Sequence, residues 1–140
     1  LSINVIIIIS IGIVSYLCFN NRELFSNLLF SPYIIIREKQ WYRFVTSAWV
    51  HGDFLHLFIN LYVLYSFGDF LEGQLLLIWI NGKGYYVFLF IASVIIAHIP
   101  TYIKQKDNYG YSSVGASGGV SGVLFATIIL QPMNELKLFA

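Results

Sequence analysis

Three polar residues in otherwise apolar surroundings have types and spacing that could do chemistry. Ser117 stands in "GASGGVSGVLFA", where glycines precede and follow it at the head of an apolar run. His56 and Asn60 lie four apart in "DFLHLFINLYVLYSFGDFLE", so on a helix they share one face. A serine at a helix start has leading N–H groups with no intrahelical acceptor, and the helix dipole adds positive potential there. Histidine and asparagine side chains can donate to a developing oxyanion. Together these groups suit acyl transfer, and a wet pocket around them would admit the water that hydrolysis needs.

The surroundings of these residues are lipid-like. Apolar residues make up 58% of the 140, charged residues only 11%, against about 25% charged in an ordinary globular domain. Mean hydropathy is +0.74. The formal net charge of +1 offers neither a basic face for nucleic acid nor an acidic tail. The single cysteine, Cys18, excludes a disulfide framework and a cysteine metal cluster. The chain begins at Leu1 without methionine and ends at Ala140 inside an apolar stretch, so it reads as a fragment. No basic region precedes the first apolar run, which argues against a signal peptide.

A membrane helix needs about 20 mostly apolar residues. Four candidate spans follow, at about 1–19, 53–72, 85–103 and 115–131, with a fifth apolar segment starting near Leu136. Residues 20–50 mix charges with "LFSNLLF" and "YIII" and carry Trp41 and Tyr42, which suits a loop in the membrane interface. No alternating strand pattern is visible, and lipid-exposed backbone must be satisfied within its own segment. The expected fold is all-α: one polytopic transmembrane helical bundle, with Pro132 ending the fourth span.

Connectivity puts the start of the second span, the end of the third and the start of the fourth on one side. His56 and Asn60 then lie about 5 to 10 Å into their helix. The stretch from Ser117 to Gln131 spans about 22 Å, short of the roughly 30 Å hydrocarbon core. Ser117 is therefore expected below the surface, reached by irregular "VGAS" backbone, at a depth similar to His56 and Asn60.

Other readings of the same residues stand beside this one. Ser117 and Ser121, like Gly118 and Gly122, have the spacing of a small-residue helix-packing face. "GASGG" fits the nucleophile elbow of α/β-hydrolases, but that elbow needs a strand before it and a soluble sheet. His56 and Asn60 could be an interhelical hydrogen-bonded pair. His51, Asp53 and His56 could hold a metal, although the spacing is not that of a zincin. His51 is otherwise a loop residue at the cavity mouth. His98 lies near the same side as Ser117, either as a base or as a helix-end histidine capping carbonyls by Pro100. Asp69 and Glu72 read as interface charges at the far end of the second span.

The stretch 40–126 resembles the rhomboid family of intramembrane serine proteases. The resemblance is carried by Tyr42-Arg43 before the second span, by His56-x-x-x-Asn60 on it, and by the Gly-x-Ser-Gly of Gly115, Ser117 and Gly118. It implies Ser117 as nucleophile and His56, Asn60 and the Ser117 N–H as oxyanion hole. Gly115 and Gly118 would allow close approach, and Arg43 would shape the first loop. The family's base is a histidine on a later helix, so the dyad would be completed beyond Ala140 and the 140-residue piece would be inactive alone. No cofactor or metal is implied. The partners would be transmembrane protein substrates within the bilayer, and the location a multi-pass one in the cell membrane. A protein that binds such clients without cutting them, or a transporter fragment, are the alternatives. Orientation stays open: Arg22, Arg37, Lys39, Arg43, Lys104 and Lys106 would place the site side in the cytoplasm, whereas the resemblance places it outside. Gly118, Ser121 and Gly122 are expected to pack against a helix lying beyond the chain.

Overall fold

The computed structural model describes residues 1–130. Helix α1 covers Ile3–Phe19 and is capped by Ser2, whose side chain accepts from the Val5 N–H. Between α1 and the next long helix lie three short helices, so the expected interfacial loop is largely helical. They are α2 (Arg22–Leu28), α3 (Pro32–Glu38) and α4 (Arg43–Thr46), followed by a 3-10 turn at Ser47–Trp49. Asn21 and Ser31 cap α2 and α3, and Pro32 supplies the preset φ of a first helical turn. Lys39 ends α3 in the left-handed region, at φ 56.

Helix α5 runs Phe54–Ile78, α6 runs Gly82–Gln105 through Pro100, and α7 starts at Ser117 and is described to Leu130. Two of these, α5 and α6, are long and apolar enough to cross a membrane, while α1 and α7 are shorter apolar helices. Among the described residues, pairing outside helices is a single antiparallel bridge between Phe30 and Ser113. The molecule is an all-α bundle. The segment expected to open a fifth span, with Pro132, lies outside the described residues.

The core runs down the seam between α1, α5, α6 and α7. Ile7, Ile11, Leu64, Phe67, Leu71, Tyr86, Phe90, Val94 and Val123 meet there. Phe54, Leu55, Phe58 and Ile59 on α5, and Ile9 and Ile13 on α1, face outward. Such an apolar exterior is stable when the solvent is lipid.

Small residues let α7 press onto α6. A Cβ on Gly119 would stand 2.5 Å from Phe90 Cε2, one on Gly118 would stand 2.8 Å from the Ala97 Cβ, and one on Gly122 would collide with the Ser93 side chain. The glycine spacing was a packing signal, but the partner differs from the expected one. Gly118 and Gly122 pack against α6 itself, not a helix beyond the chain, because close α6–α7 approach already fills that face. Ser121 is exposed.

At the far end of α5 the expected interface charge Glu72 is buried, because α5 continues past it to Ile78. Its carboxylate accepts from the Asn4 N–H at 2.8 Å, the Ile3 N–H at 3.1 Å and Lys83 Nζ at 2.7 Å. Asn4 in turn donates to the Leu64 carbonyl and Asp69, and accepts from the Tyr86 hydroxyl. This network ties α1, α5 and α6 together at the end remote from Ser117.

Candidate active site

Asp53 opens α5 by accepting the His56 N–H at 2.8 Å, which fixes the first turn carrying His56. Asn60 follows one turn later and is buried. Across from them, backbone 113–116 leads irregularly into α7. Ser113 pairs with Phe30 through two backbone hydrogen bonds of 2.9 and 3.0 Å. The Gly115 N–H donates to the Ser47 carbonyl at 2.9 Å.

Gly115 has φ +123, a conformation that only glycine adopts without strain. Its missing side chain also makes room for His56: a Cβ there would stand 2.7 Å from His56 Cε1 and 3.2 Å from Nε2. The His56 ring therefore lies directly against the backbone two residues ahead of Ser117. Ser117 itself is the first residue of α7 and is exposed. It lines a cavity of about 390 Å³ with Gly115, Gly118, Ser121, Ser113 and His98.

His51 is the residue that sequence reasoning undervalued. It is fully buried, not a rim residue, and it joins three elements. Its Nε2 accepts from Asn60 Nδ2 at 3.0 Å and from the Ala116 N–H at 3.2 Å. A backbone N–H can only donate, so Nε2 carries the lone pair and the proton of the neutral ring is on Nδ1. Nδ1–H then donates to Ser15 Oγ at 3.0 Å, and the Ser15 hydroxyl donates in turn to the Trp49 carbonyl at 2.7 Å. Burial, reinforced by the nearby His56 and opposed by Asp53, pushes the His51 pKa down to about 4. The neutral ring that the network requires is thus also the one that burial favours. The rings of His51 and His56 meet edge to face at 5.0 Å.

The geometry joins three of the sequence-selected residues through one backbone segment. His56 touches Gly115, and Asn60 reaches Ala116 through His51. Ser117 is next in the chain. Gly118 serves the α6 contact. Arg43 lies in the first connection, where it is buried and donates to the Ser26 and Leu29 carbonyls at 2.8 and 2.9 Å, with Nε on Gln40 at 2.8 Å. It holds α2 against α4. His98 does not cap carbonyls near Pro100, because α6 continues beyond that proline. Its Nε2 is 3.0 Å from Ser47 Oγ. Among the described residues, no group of three or more His, Cys, Asp or Glu could hold a metal. The signal for His51 was present as the third polar residue before Asn60, but its partners Ser15 and Ala116 are distant in sequence.

Chemically, the arrangement offers an accessible hydroxyl at a helix start, where first-turn N–H groups have no intrahelical acceptor, with His56 against the approach to that start and Asn60 linked to it through His51.

A family model described as "Rhomboid domain" matches residues 38–140. The chain is 32% identical over 103 residues to "Putative rhomboid protease YdcA" of Bacillus subtilis (strain 168), a match covering 72% of this chain and 47% of that protein. It is 33% identical over 104 residues to "Rhomboid-like protein 11, chloroplastic" of Arabidopsis thaliana, covering 74% of this chain and 34% of the relative. It is 28% identical over 105 residues to "Rhomboid protease GluP" of Bacillus subtilis (strain 168), covering 75% and 18%. The chain spans less than half the length of these curated relatives. No solved structure matches significantly.

Proposed function

This chain belongs to the rhomboid family, and from that premise we propose that the whole protein is an intramembrane serine endopeptidase. Family membership and the two membrane-length apolar helices make it an integral membrane protein. The proposal extends this to a multi-pass protein of the cell membrane that cuts peptide bonds in or near transmembrane segments of other proteins.

In the proposed reaction Ser117 Oγ attacks the scissile carbonyl. A histidine beyond this chain takes the hydroxyl proton and passes it to the leaving amine as the C–N bond breaks. Asn60, His56 and the N–H groups at the start of α7 hold the oxyanion. Water then attacks the acyl ester, the same histidine takes its proton, and Ser117 is regenerated. No metal or other cofactor takes part.

One observation carries the reading: the His56 ring occupies the space left by Gly115, two residues ahead of an exposed Ser117. A purely structural His56–Asn60 pair would not require the glycine, its positive φ and an accessible serine at the same place. The test is Ser117→Ala in the full-length protein with a reporter transmembrane substrate. Loss of cleavage supports the assignment. Retained cleavage overturns it, and capture of the substrate without cleavage by the wild type would favour a client-binding protein.

A further inference from the structure

His98 has no part in the proposed chemistry, yet it contacts both residues that hold the backbone ahead of Ser117. On one side, its Nε2 lies 3.0 Å from Ser47 Oγ. Ser47 is fully buried, and its carbonyl accepts the Gly115 N–H at 2.9 Å. On the other side, the His98 ring stacks on Phe30, with centroids 4.0 Å apart and planes 16° from parallel. Phe30 is fully buried and exchanges two backbone hydrogen bonds with Ser113. The two contacts of His98 therefore secure Ser113 and Gly115, one on each side of Val114. Both contacts start from α6, a long helix, whereas Ser47 and Phe30 belong to the short-helix connection.

We infer that His98 is a positioning residue for the proposed reaction: it fixes Ser47 and Phe30, and through them the 113–115 backbone that presents Gly115 to His56 and leads into Ser117. The inference rests on Ser117 being the nucleophile. It differs from a role as base, because Nε2 is engaged by Ser47 Oγ and the ring is stacked on Phe30. Positioning of this kind has kinetic weight, since a 1 Å misplacement of reacting groups can cost about 100-fold in rate.

The experiment uses the full-length protein and four variants: His98→Phe, which keeps an aromatic ring on Phe30 but loses the polar contact, His98→Gln, Ser47→Ala, and the double variant His98→Phe/Ser47→Ala. Cleavage of a reporter transmembrane substrate gives kcat and KM, fluorophosphonate labelling gives the reactivity of Ser117, and thermal unfolding gives stability. The expected result is a fall in kcat of about 10- to 100-fold in His98→Phe and Ser47→Ala, with KM within about twofold. Labelling slows in parallel. The double variant is no worse than either single one, because the two residues form one link, and His98→Gln recovers part of kcat. Unchanged kcat in folded His98→Phe or Ser47→Ala overturns the inference. So do single-variant losses that multiply in the double variant. A fall of His98→Gln to the Ser117→Ala floor overturns it in favour of direct catalysis. Should His98→Phe not fold, Ser47→Ala and His98→Gln decide. Ser117→Ala measured alongside separates the two claims: if it still cleaves, the nucleophile reading fails. If it does not cleave while the His98 and Ser47 variants keep full kcat, the positioning inference alone fails.

Discussion

The His56 imidazole lies where the side chain of Gly115 would be, 2.7 Å from the position of an added Cβ. Position 115 is constrained twice, by that ring and by its φ of +123. Gly115→Ala is expected to lower stability by about 1–3 kcal/mol through backbone strain alone. It also displaces His56 or Ser117, so cleavage should fall by more than the loss of folded protein explains. Thermal unfolding and kcat on the same sample check this.

The buried His51 gives a pH dependence with a definite sign. Its pKa is about 4 in the folded protein and 6.5 when exposed, so between these values the unfolded chain binds the proton first. Its contribution is intact above pH 6.5 and is lost as pH falls toward 4, amounting to roughly 3 kcal/mol by pH 4. Unfolding midpoints from pH 7 to 4 should drop more steeply in the wild type than in His51→Gln. Equal slopes would show that another group governs the acid limb.

Asn60 is expected to act twice, on the oxyanion and on the lone pair of His51. Asn60→Ala should lower kcat by about 100- to 1,000-fold, the range for removing one oxyanion donor. Because Ala116 still donates to His51, the variant should remain folded. Steady-state kinetics with a folding control measure both.

Close packing of α6 and α7 predicts a contrast between glycines. Gly122→Val forces a side chain into Ser93 and should cost at least about 1–3 kcal/mol, the usual range for overpacking. Gly73, also helical, has nothing within 4 Å of an added Cβ. Gly73→Ala should stabilise by about 0.5–1 kcal/mol. Unfolding of the two variants side by side tests the seam.

The sequence exposed what is local and concealed what is long-range. The four-residue step from His56 to Asn60 is a property of one helix, and so is a serine among glycines at a helix start. Both could be read from spacing. The Ser31-Pro32 pair that starts α3 is a local signal of the same kind. His51 joins Ser15 to Ala116, and His98 joins Phe30 to Ser47. No periodicity records such pairings, because they exist only once the helices have packed. Gly118 and Gly122 show the boundary clearly: their spacing announced a contact, but only the packed bundle assigned it to α6. Glu72 was misjudged for a related reason. Its charge suggested an interface, while backbone N–H groups of α1 and Lys83 satisfy it inside.

The most direct measurement is fluorophosphonate labelling of the full-length protein, run beside cleavage of a reporter transmembrane substrate, for wild type and Ser117→Ala. The wild type is expected to be labelled at Ser117 and to cleave, whereas Ser117→Ala, folded to the same unfolding midpoint, does neither. Cleavage that persists in Ser117→Ala, or labelling at a different serine, would contradict it.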